Sequence, residues 1–450
     1  MRAFCEVRLG ALLLSALLTL TACGAQVAPP ASQPPAAPTS RVTPAVVGSL
    51  EPVPASLVYA PNPGAVVVAI DAGHGGCLDW GVPDPSARGV ELAEKTLTLA
   101  IARRLRDLLV ADGIGVVMTR DGDDALAGDD HPALDCHGPP WRDVNGDGYV
   151  GFGGDLPKGT RTRDELQARL DLVNLAGADL LISIHINSPS EAGETIEVAF
   201  TQTYYTDETA WAQATARLAA DVQSELVAGL GGVAEYDRGD RGIIAHNLYL
   251  VAPPLEEPTE ERTNPLAQPA RGALMPAVLS EVGSITVRAE HDLLASAEGQ
   301  QAAATGLFHG IARWFADRPL AARIALADVA AGAVPEVVGG TGPPFWASVV
   351  EGTSVELQLT NSGTASWPSG GRLLAGWEAT DQPYLRAAPL SVSALDLEVP
   401  ELAPGESVNL HVVLPQPPGG RAVAWISLKV GERILADEGL PALQVSTEAP

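Results

Sequence analysis

Basic side chains are scarce in this chain: 28 Lys and Arg stand against 55 Asp and Glu, for a formal net charge of -27. That balance excludes a nucleic-acid binder, whose affinity comes largely from cations that neutralise phosphates. Long apolar runs are missing as well, and the N-terminal one, Leu12 to Leu20, is too short for a comfortable membrane span. Cysteine is rare, with four residues in 450, so the fold must rest mainly on an apolar core. A hydrophobic content of 46% over this length can supply a large one, and the length suggests two domains or more once the ends are set aside.

The beginning of the chain is not part of any fold. Arg2 and Arg8 precede the apolar run and Leu20-Thr21-Ala22-Cys23 follows it, the order of a secretory signal with a small-residue cleavage site. Leu-Thr-Ala-Cys resembles a bacterial lipobox, which implies cleavage before Cys23, lipidation of its thiol and a membrane-anchored place in the cell envelope outside the cytoplasm. Loss of 1–22 removes Arg2, Arg8 and Glu6 and leaves the mature chain one charge more negative. With Cys5 removed and Cys23 lipidated, Cys77 and Cys136 remain, an even pair in an oxidising compartment. A disulfide is the natural reading, and metal ligation by either thiol is the alternative. Residues 23–64, rich in Ala, Pro, Ser and Val without sustained period, read as a semi-extended tether.

From Val66 to about Asp317 the pattern is that of an α/β domain, and the fold expected over 65–317 is a three-layer αβα arrangement around a mostly parallel or mixed sheet. Helices are expected over 95–111, 164–176, 207–228 and 300–315, and strands over 66–70, 114–119, 180–186, 196–200, 247–251 and 277–281. After an Ala/Pro/Gly-rich linker, 318–344, the period changes from 3.6 to 2. Val355, Leu357 and Leu359 alternate with polar neighbours, as do Val408, Leu410, Val412 and Leu414, and again Ala424, Ile426, Leu428 and Val430. An all-β sandwich over 345–450 follows.

Chemistry gathers where the apolar strands run out. Val66 to Ile70 leads into Asp71-Ala72-Gly73-His74-Gly75-Gly76, Leu180 to Ile184 into His185-Ile186-Asn187, and Ala277 to Leu279 into Ser280-Glu281. Carboxyl ends of strands in open α/β sheets form the crevice where ligands bind. Taken singly, His74 reads equally as a turn histidine and Glu94 as a helix-start carboxylate favoured by the dipole. Together, two imidazoles and one carboxylate form the His₂Glu set that leaves a catalytic zinc one open position.

Gly73-His74-Gly75-Gly76, Glu94-Lys95, Ser183-Ile184-His185-Ile186-Asn187 and Pro276 through Gly283 resemble, in unbroken order, the zinc-dependent N-acetylmuramoyl-L-alanine amidases of the amidase-3 type, which cut bacterial peptidoglycan. Arg161-Thr162-Arg163 and Leu166-Gln167-Ala168-Arg169 look like that family's central helix. The resemblance implies one Zn²⁺ on His74, Glu94 and His185, Glu281 as general base and then acid, and Asn187 and Arg169 as substrate-facing or supporting residues. Glu91 competes with Glu94 for the third ligand, and Glu94 is favoured because Lys95 follows it. Peptidoglycan is the implied partner, in wall remodelling or daughter-cell separation. Two other readings stay open: a zinc amidase acting on soluble muropeptides or other amides, and an inactive lipoprotein that only binds the wall.

Trp346, Trp367, Trp377 and Trp425, with Asn361 through Pro368, resemble the four-tryptophan Ig-like domain. These rings read as core residues or as a platform for a protein or glycan ligand. Two departures from the amidase pattern stand out. Ser284-Ile285-Thr286 replaces the usual continuation after Gly283, and an insertion between Arg120 and Arg161 carries Asp143, Asn145, Asp147 and Asp155. Asp143, Asn145 and Asp147 have the spacing of the first half of a Ca²⁺ loop, but Gly154 stands at the twelfth position and Asp155 one later, so an Asn/Gly turn is the alternative. His131 and His137 lie in the same insertion as expected surface residues. A proline-rich acidic stretch, Pro254 to Arg271, is expected as a flexible lip before the Glu281 strand.

Overall fold

The computed structural model describes residues 57–59, 66–76, 79–82, 92–127, 144–145, 162–191, 194–195, 198–253, 269, 272–327, 336–338, 345–350, 354–379, 394–414, 421–435, 439–440 and 443–448. The signal, Cys23, Cys77, Cys136, Glu91, Asp143, Asp147, Asp155, His131, His137, nearly all of Pro254 to Arg271 and all of the expected tether but 57–59 lie outside these residues; Val58 and Tyr59, placed in the tether, instead form a strand of the sheet, opposite Val117 and Val116. Among the described residues no helix is long and apolar enough to cross a membrane.

The first part of the chain runs β1 (Val58–Tyr59), β2 (Val67–Ala72), α1 (Glu94–Ala111), β3 (Gly115–Met118), α2 (Arg163–Leu175), β4 (Leu180–Asn187), the small pair β5 (Ser190–Glu191) and β6 (Glu194–Thr195), β7 (Phe200–Tyr205), α3 (Ala212–Gly231), β8 (Gly239–Ala245), β9 (Ala277–Ser284), α4 (Arg288–Ala295) and α5 (Ala297–Ala316). Seven strands form one sheet in the order β1-β3-β2-β4-β9-β7-β8. β3, β2, β4 and β9 are mutually parallel, whereas β7 runs antiparallel to β9 and parallel to β8. The sheet is therefore mixed, with parallel strands at its centre, where both faces are covered. That is why β2 reads as a near-continuous apolar run instead of an alternating one.

One face packs against α1, α3 and α5 through Ile70, Ile101, Leu105, Ile184, Leu226, Leu307 and Trp314. The opposite face packs Val67, Ala69, Leu181 and Leu279 in one cluster with Leu170 and Val173 of α2 and with Tyr249, Leu250 and Met275. α3 and α5 meet through small residues. A Cβ at Gly310 would lie 2.6 Å from Val222 Cα, and one at Gly306 would lie 2.8 Å from Glu225 O. The N-terminus of α5 is capped by Ser296, whose Oγ accepts from Gly299 N at 2.9 Å.

Two strand expectations are corrected. The strand placed at 196–200 lies at Phe200–Tyr205, where Thr, Tyr and Phe favour a pleated half-buried surface. Residues 247–251 form a turn, and the sheet's edge is β8 instead. Tyr249, Leu250 and Val251 owe their apolar character to plugging the core beside α2. β8 is mostly exposed, so it carries little apolar signal.

The remaining chain forms β10 (Ala322–Leu326), β11 (Glu336–Val338), β12 (Phe345–Val350), β13 (Ser354–Asn361), β14 (Gly371–Ala379), β15 (Ala394–Val399), β16 (Ser407–Val413), β17 (Arg421–Val430), β18 (Arg433–Ile434) and β19 (Leu443–Glu448). One sheet has the order β10-β13-β16; the other runs β11-β12-β19-β17-β14-β15, with β18 paired to β17. Leu357 and Leu359 of the first sheet share one cluster with Leu373, Ile426 and Leu428 of the second, as the period-2 pattern anticipates. β10 falls inside 318–344 and pairs antiparallel with β13, so that stretch contributes a strand to the sheet. Of the four tryptophans, Trp367 is buried and donates from Nε1 to Ala321 O at 3.2 Å. Trp425 is buried too, but in the cluster that contains Leu172, Tyr249 and Met275 of the first part. The side chains of Trp346 and Trp377 lie outside the described residues.

The α3/α5 contact yields a prediction. Gly310→Val is expected to force the helices apart and cost about 1–3 kcal/mol, read as a lower denaturation midpoint with an unchanged slope.

Candidate metal centre

β2 and β4 are in parallel register, and their carboxyl ends deliver His74 and His185 to one place. His74 follows β2 in the turn Gly73–Gly76 with φ 63°, a left-handed backbone uncommon outside glycine. Its Nε2 lies 3.0 Å from Glu94 Oε1 and 3.0 Å from His185 Nδ1, and His185 Nδ1 lies 3.3 Å from Glu94 Oε1. These edges approach the separation of about 3.3 Å between tetrahedral ligands held near 2.0–2.1 Å from one zinc ion. His74, Glu94 and His185 could together hold a metal ion. The donor chemistry fits: two imidazole nitrogens face each other and one carboxylate oxygen, an arrangement that a shared cation satisfies and one proton does not.

Two glycines make room for this. A Cβ at Gly73 would come within 2.5 Å of His185 Nε2, and one at Gly81, which has φ +67°, within 2.4 Å of Glu94 Oε2. Glu94 opens α1 without capping it through its side chain. Instead Oε1 accepts from Ile186 N at 2.9 Å and Oε2 from Val82 N at 3.0 Å. Burial opposes its charge, yet His74 and His185 outweigh that and hold the carboxyl well below the usual range. For His74, burial disfavours the cation, but Glu94 and Asp79 prevail and push it up to about 10 in the absence of metal.

Around the three ligands stands a layer that sequence reading largely missed. Asp79 Oδ1 bonds His74 Nδ1 at 2.7 Å, leaving Nε2 to face Glu94 and His185. Arg120 donates to the carbonyls of Ala72 and Gly73, Lys95 Nζ to Gly76 O at 2.8 Å, and Arg169 to Ala72 O at 3.0 Å and His74 O at 2.7 Å. Three buried cations thus grip the carbonyls of the His74 turn. Arg169 also pairs with Asp71 at 3.0 Å and Glu165 at 2.8 Å, and Asp71 accepts from Ser183 and Thr119. Arg169 is 1% exposed, and the donations named here hold it against Asp71, Glu165 and the turn. The only early signal for these residues was that charged side chains stood beside apolar strands, which gives no partner.

Glu281 lies beside His185 in the β4/β9 register. Its Oε2 is buried without a hydrogen-bond partner among the described residues. Burial raises its pKa and Glu94 adds to that, against the two histidines, so the carboxyl is pushed up to about 7. Asn187 sits half-buried at the end of β4, and its carbonyl accepts from Ile285 N at 2.8 Å. The departure after Gly283 has a structural role: Ser284 Oγ donates to Val198 O at 2.6 Å, Ser284 N donates to Glu290 at 2.9 Å, and Ile285 is buried. Of the four residues of the candidate calcium loop only Asn145 is described, and its backbone N donates to Asp164 Oδ1 at 3.3 Å.

A mixed α/β sheet with a group that could hold a metal ion at its strand ends and at the start of α1, and one unpartnered carboxylate oxygen alongside, defines a candidate metallo-hydrolase. The family described as N-acetylmuramoyl-L-alanine amidase (amidase-3) matches residues 68–313, more than half of the chain, and the chain belongs to that family. It is 26% identical over 258 residues to the germination-specific N-acetylmuramoyl-L-alanine amidase of Bacillus subtilis, covering 56% of this chain and 81% of that one. To the sporulation-specific N-acetylmuramoyl-L-alanine amidase of the same organism it is 26% identical over 252 residues, covering 56% and 68%. Among solved structures it is similar to an N-acetylmuramoyl-L-alanine amidase from Clostridium difficile 630, at 24% identity and a TM-score of 0.37 over 56% of this chain and 97% of that one.

Glu281's environment sets a pH dependence of stability. Because its folded pKa lies above its ordinary value of 4.5, the metal-free protein loses stability as pH rises from there through about 7. Metal-free Glu281→Gln is therefore expected to melt above metal-free wild type at pH 8, with the difference closing near pH 5. Thermal unfolding in chelator at the two pH values checks this.

Proposed function

We propose that this protein hydrolyses the amide between the lactyl carboxyl of N-acetylmuramic acid and the first L-alanine of peptidoglycan, with zinc held by His74, Glu94 and His185. The observation that carries this reading is the place of Glu281, next to His185 in register and with one oxygen unpaired. Bound zinc supplies Lewis acidity, polarising the scissile carbonyl and acidifying water. Glu281 takes the proton from the attacking water and gives it to the departing nitrogen, so that one water and one amide become a carboxylic acid and an amine. Asp79 keeps His74 in the ligating orientation, and Arg120, Lys95 and Arg169 keep its turn from moving. Family membership supports the bond chosen.

The rest of the chain fits an envelope enzyme. The signal 1–22 directs export, Cys23 carries the lipid, and 23–64 tethers the catalytic domain, 65–317. After the linker, the two C-terminal sheets with their shared core form an Ig-like β-sandwich that positions the enzyme on the wall. Cys77 and Cys136 are proposed to pair in a disulfide.

Metal analysis of the mature protein is expected to give one zinc per chain, and digestion of purified sacculi new N-terminal L-alanine. Glu281→Gln is expected to retain the zinc and lower kcat by about 10²-fold or more. A wild-type protein that binds sacculi and releases no L-alanine amino group overturns the proposal.

A further inference from the structure

Glu281 does not end the polar row that begins at the metal centre. β7 runs antiparallel beside β9 with Gln202 directly opposite Glu281, as Glu281 is opposite His185. Directly paired residues share a sheet face, with Cβ atoms about 4.5–5.5 Å apart. His185, Glu281 and Gln202 therefore stand in line on one face. Thr203, next along β7, is on the other face, bonded to Gln223 of α3.

Gln202 is buried, and Tyr204 OH donates to its Oε1 at 2.7 Å. That bond orients the amide and leaves the two Nε2 hydrogens, for which no acceptor is engaged among the described residues. An amide donor that no described acceptor engages, beside the buried and unpartnered Oε2 of Glu281, marks a place for a ligand that brings an acceptor to the one and a donor to the other. Beyond Gln202 the wall continues through Tyr204 to His246, whose ring centroids are 6.1 Å apart, and to Arg241, exposed on β8 and stacked 3.8 Å over the Phe200 ring. In a chain this acidic, an imidazole and a guanidinium at one rim suit an anionic peptide.

Resting on the hydrolytic reading above, we propose that Gln202, held by Tyr204, receives the peptide half of the substrate, the half that begins with the departing L-alanine nitrogen. The direction follows from proton transfer. The carbonyl carbon belongs at the metal ligands, and the nitrogen must reach Glu281. The chain that continues from that nitrogen then passes over β7, where Gln202 donates to a peptide carbonyl and Arg241 and His246 face its carboxylates. The muramoyl half lies on the opposite side, towards Trp80, whose indole is 42% exposed beside Asp79.

The test is calorimetric binding of the two product halves, the free tripeptide L-Ala-γ-D-Glu-L-Lys and N-acetylmuramic acid, to the full mature protein, with steady-state hydrolysis in parallel. Gln202→Met, close in volume but without N–H donors, is expected to weaken tripeptide binding about tenfold. N-acetylmuramic acid binding should stay unchanged, and KM should rise more than kcat falls. Tyr204→Phe, which keeps Gln202 in place and removes its orienting hydroxyl, is expected to shift the same quantities in the same direction by less, and it serves if Gln202→Met does not fold. Unchanged tripeptide affinity in the folded variants, or equal loss of both product halves, overturns the inference. A wild-type protein that binds the tripeptide through Gln202 yet releases no L-alanine sinks the hydrolytic reading alone; normal hydrolysis with Gln202-independent tripeptide binding sinks this one alone.

Discussion

The buried contact between Arg169 and the end of β2 is the constraint on which the centre depends. Its guanidinium joins Glu165 of α2 to Asp71 and to the carbonyls of Ala72 and His74. A buried charge pair of this kind gives little net stability, but removal of one partner leaves an uncompensated charge. What it does give is geometry. The His74 turn has a left-handed residue and glycines with no side chains to pack, so its position must come from outside, and Arg169, Arg120 and Lys95 supply it through the carbonyls. Its carboxylate partners keep Arg169 charged: burial opposes the charge, but Glu165 and Asp71 outweigh that and raise its pKa above the ordinary value.

Parallel register does the remaining assembly. β2, β4 and β9 point the same way, so three residues far apart in sequence end at one edge of the sheet, while Glu94 reaches over from α1. The antiparallel entry of β7 then extends the same line to Gln202. His185, Glu281 and Gln202 thus lie on successive strands, and a slip of one residue at either pairing would send Glu281 or Gln202 to the other face.

The described residues of the C-terminal sheets meet the first part of the chain at the opposite ends of these strands. Trp425 packs in the cluster below α2, and Gly439 approaches so closely that a Cβ there would lie 2.5 Å from Pro276 Cγ, just before β9 begins. Arg323 of β10 comes within 3.5 Å of Asp179, just before β4. These contacts fall at the amino ends of the strands whose carboxyl ends carry His185 and Glu281. Trp425 illustrates how composition can mislead: on a strand whose even-numbered residues face the core of its own sheets, it faces the other way and joins the neighbouring domain.

The elements at the middle of the sheet were legible because both faces are buried and the apolar runs are unbroken; the expected helix at 95–111 begins only one residue earlier, at Glu94. Edges were not. β8 is largely exposed and carries no apolar pattern, whereas the apolar run at 247–251 looked like a strand because a buried turn needs the same residues. His74, Glu94, His185 and Glu281 stood out as candidates by residue type at strand and helix ends, and the structure brings the first three within reach of one ion. Asp79, Arg120, Lys95 and Gln202 did not, because their contacts are with partners 5 to 79 positions away that no local spacing reveals: Asp79 with His74, Lys95 with Gly76, Arg120 with Gly73, Gln202 with Glu281. Sequence alone determined which groups can do the chemistry, through their donor atoms and the periods that bury the strands around them. Tertiary structure decided which of them meet, because register and buried charge act between segments that are neighbours only once the chain has folded.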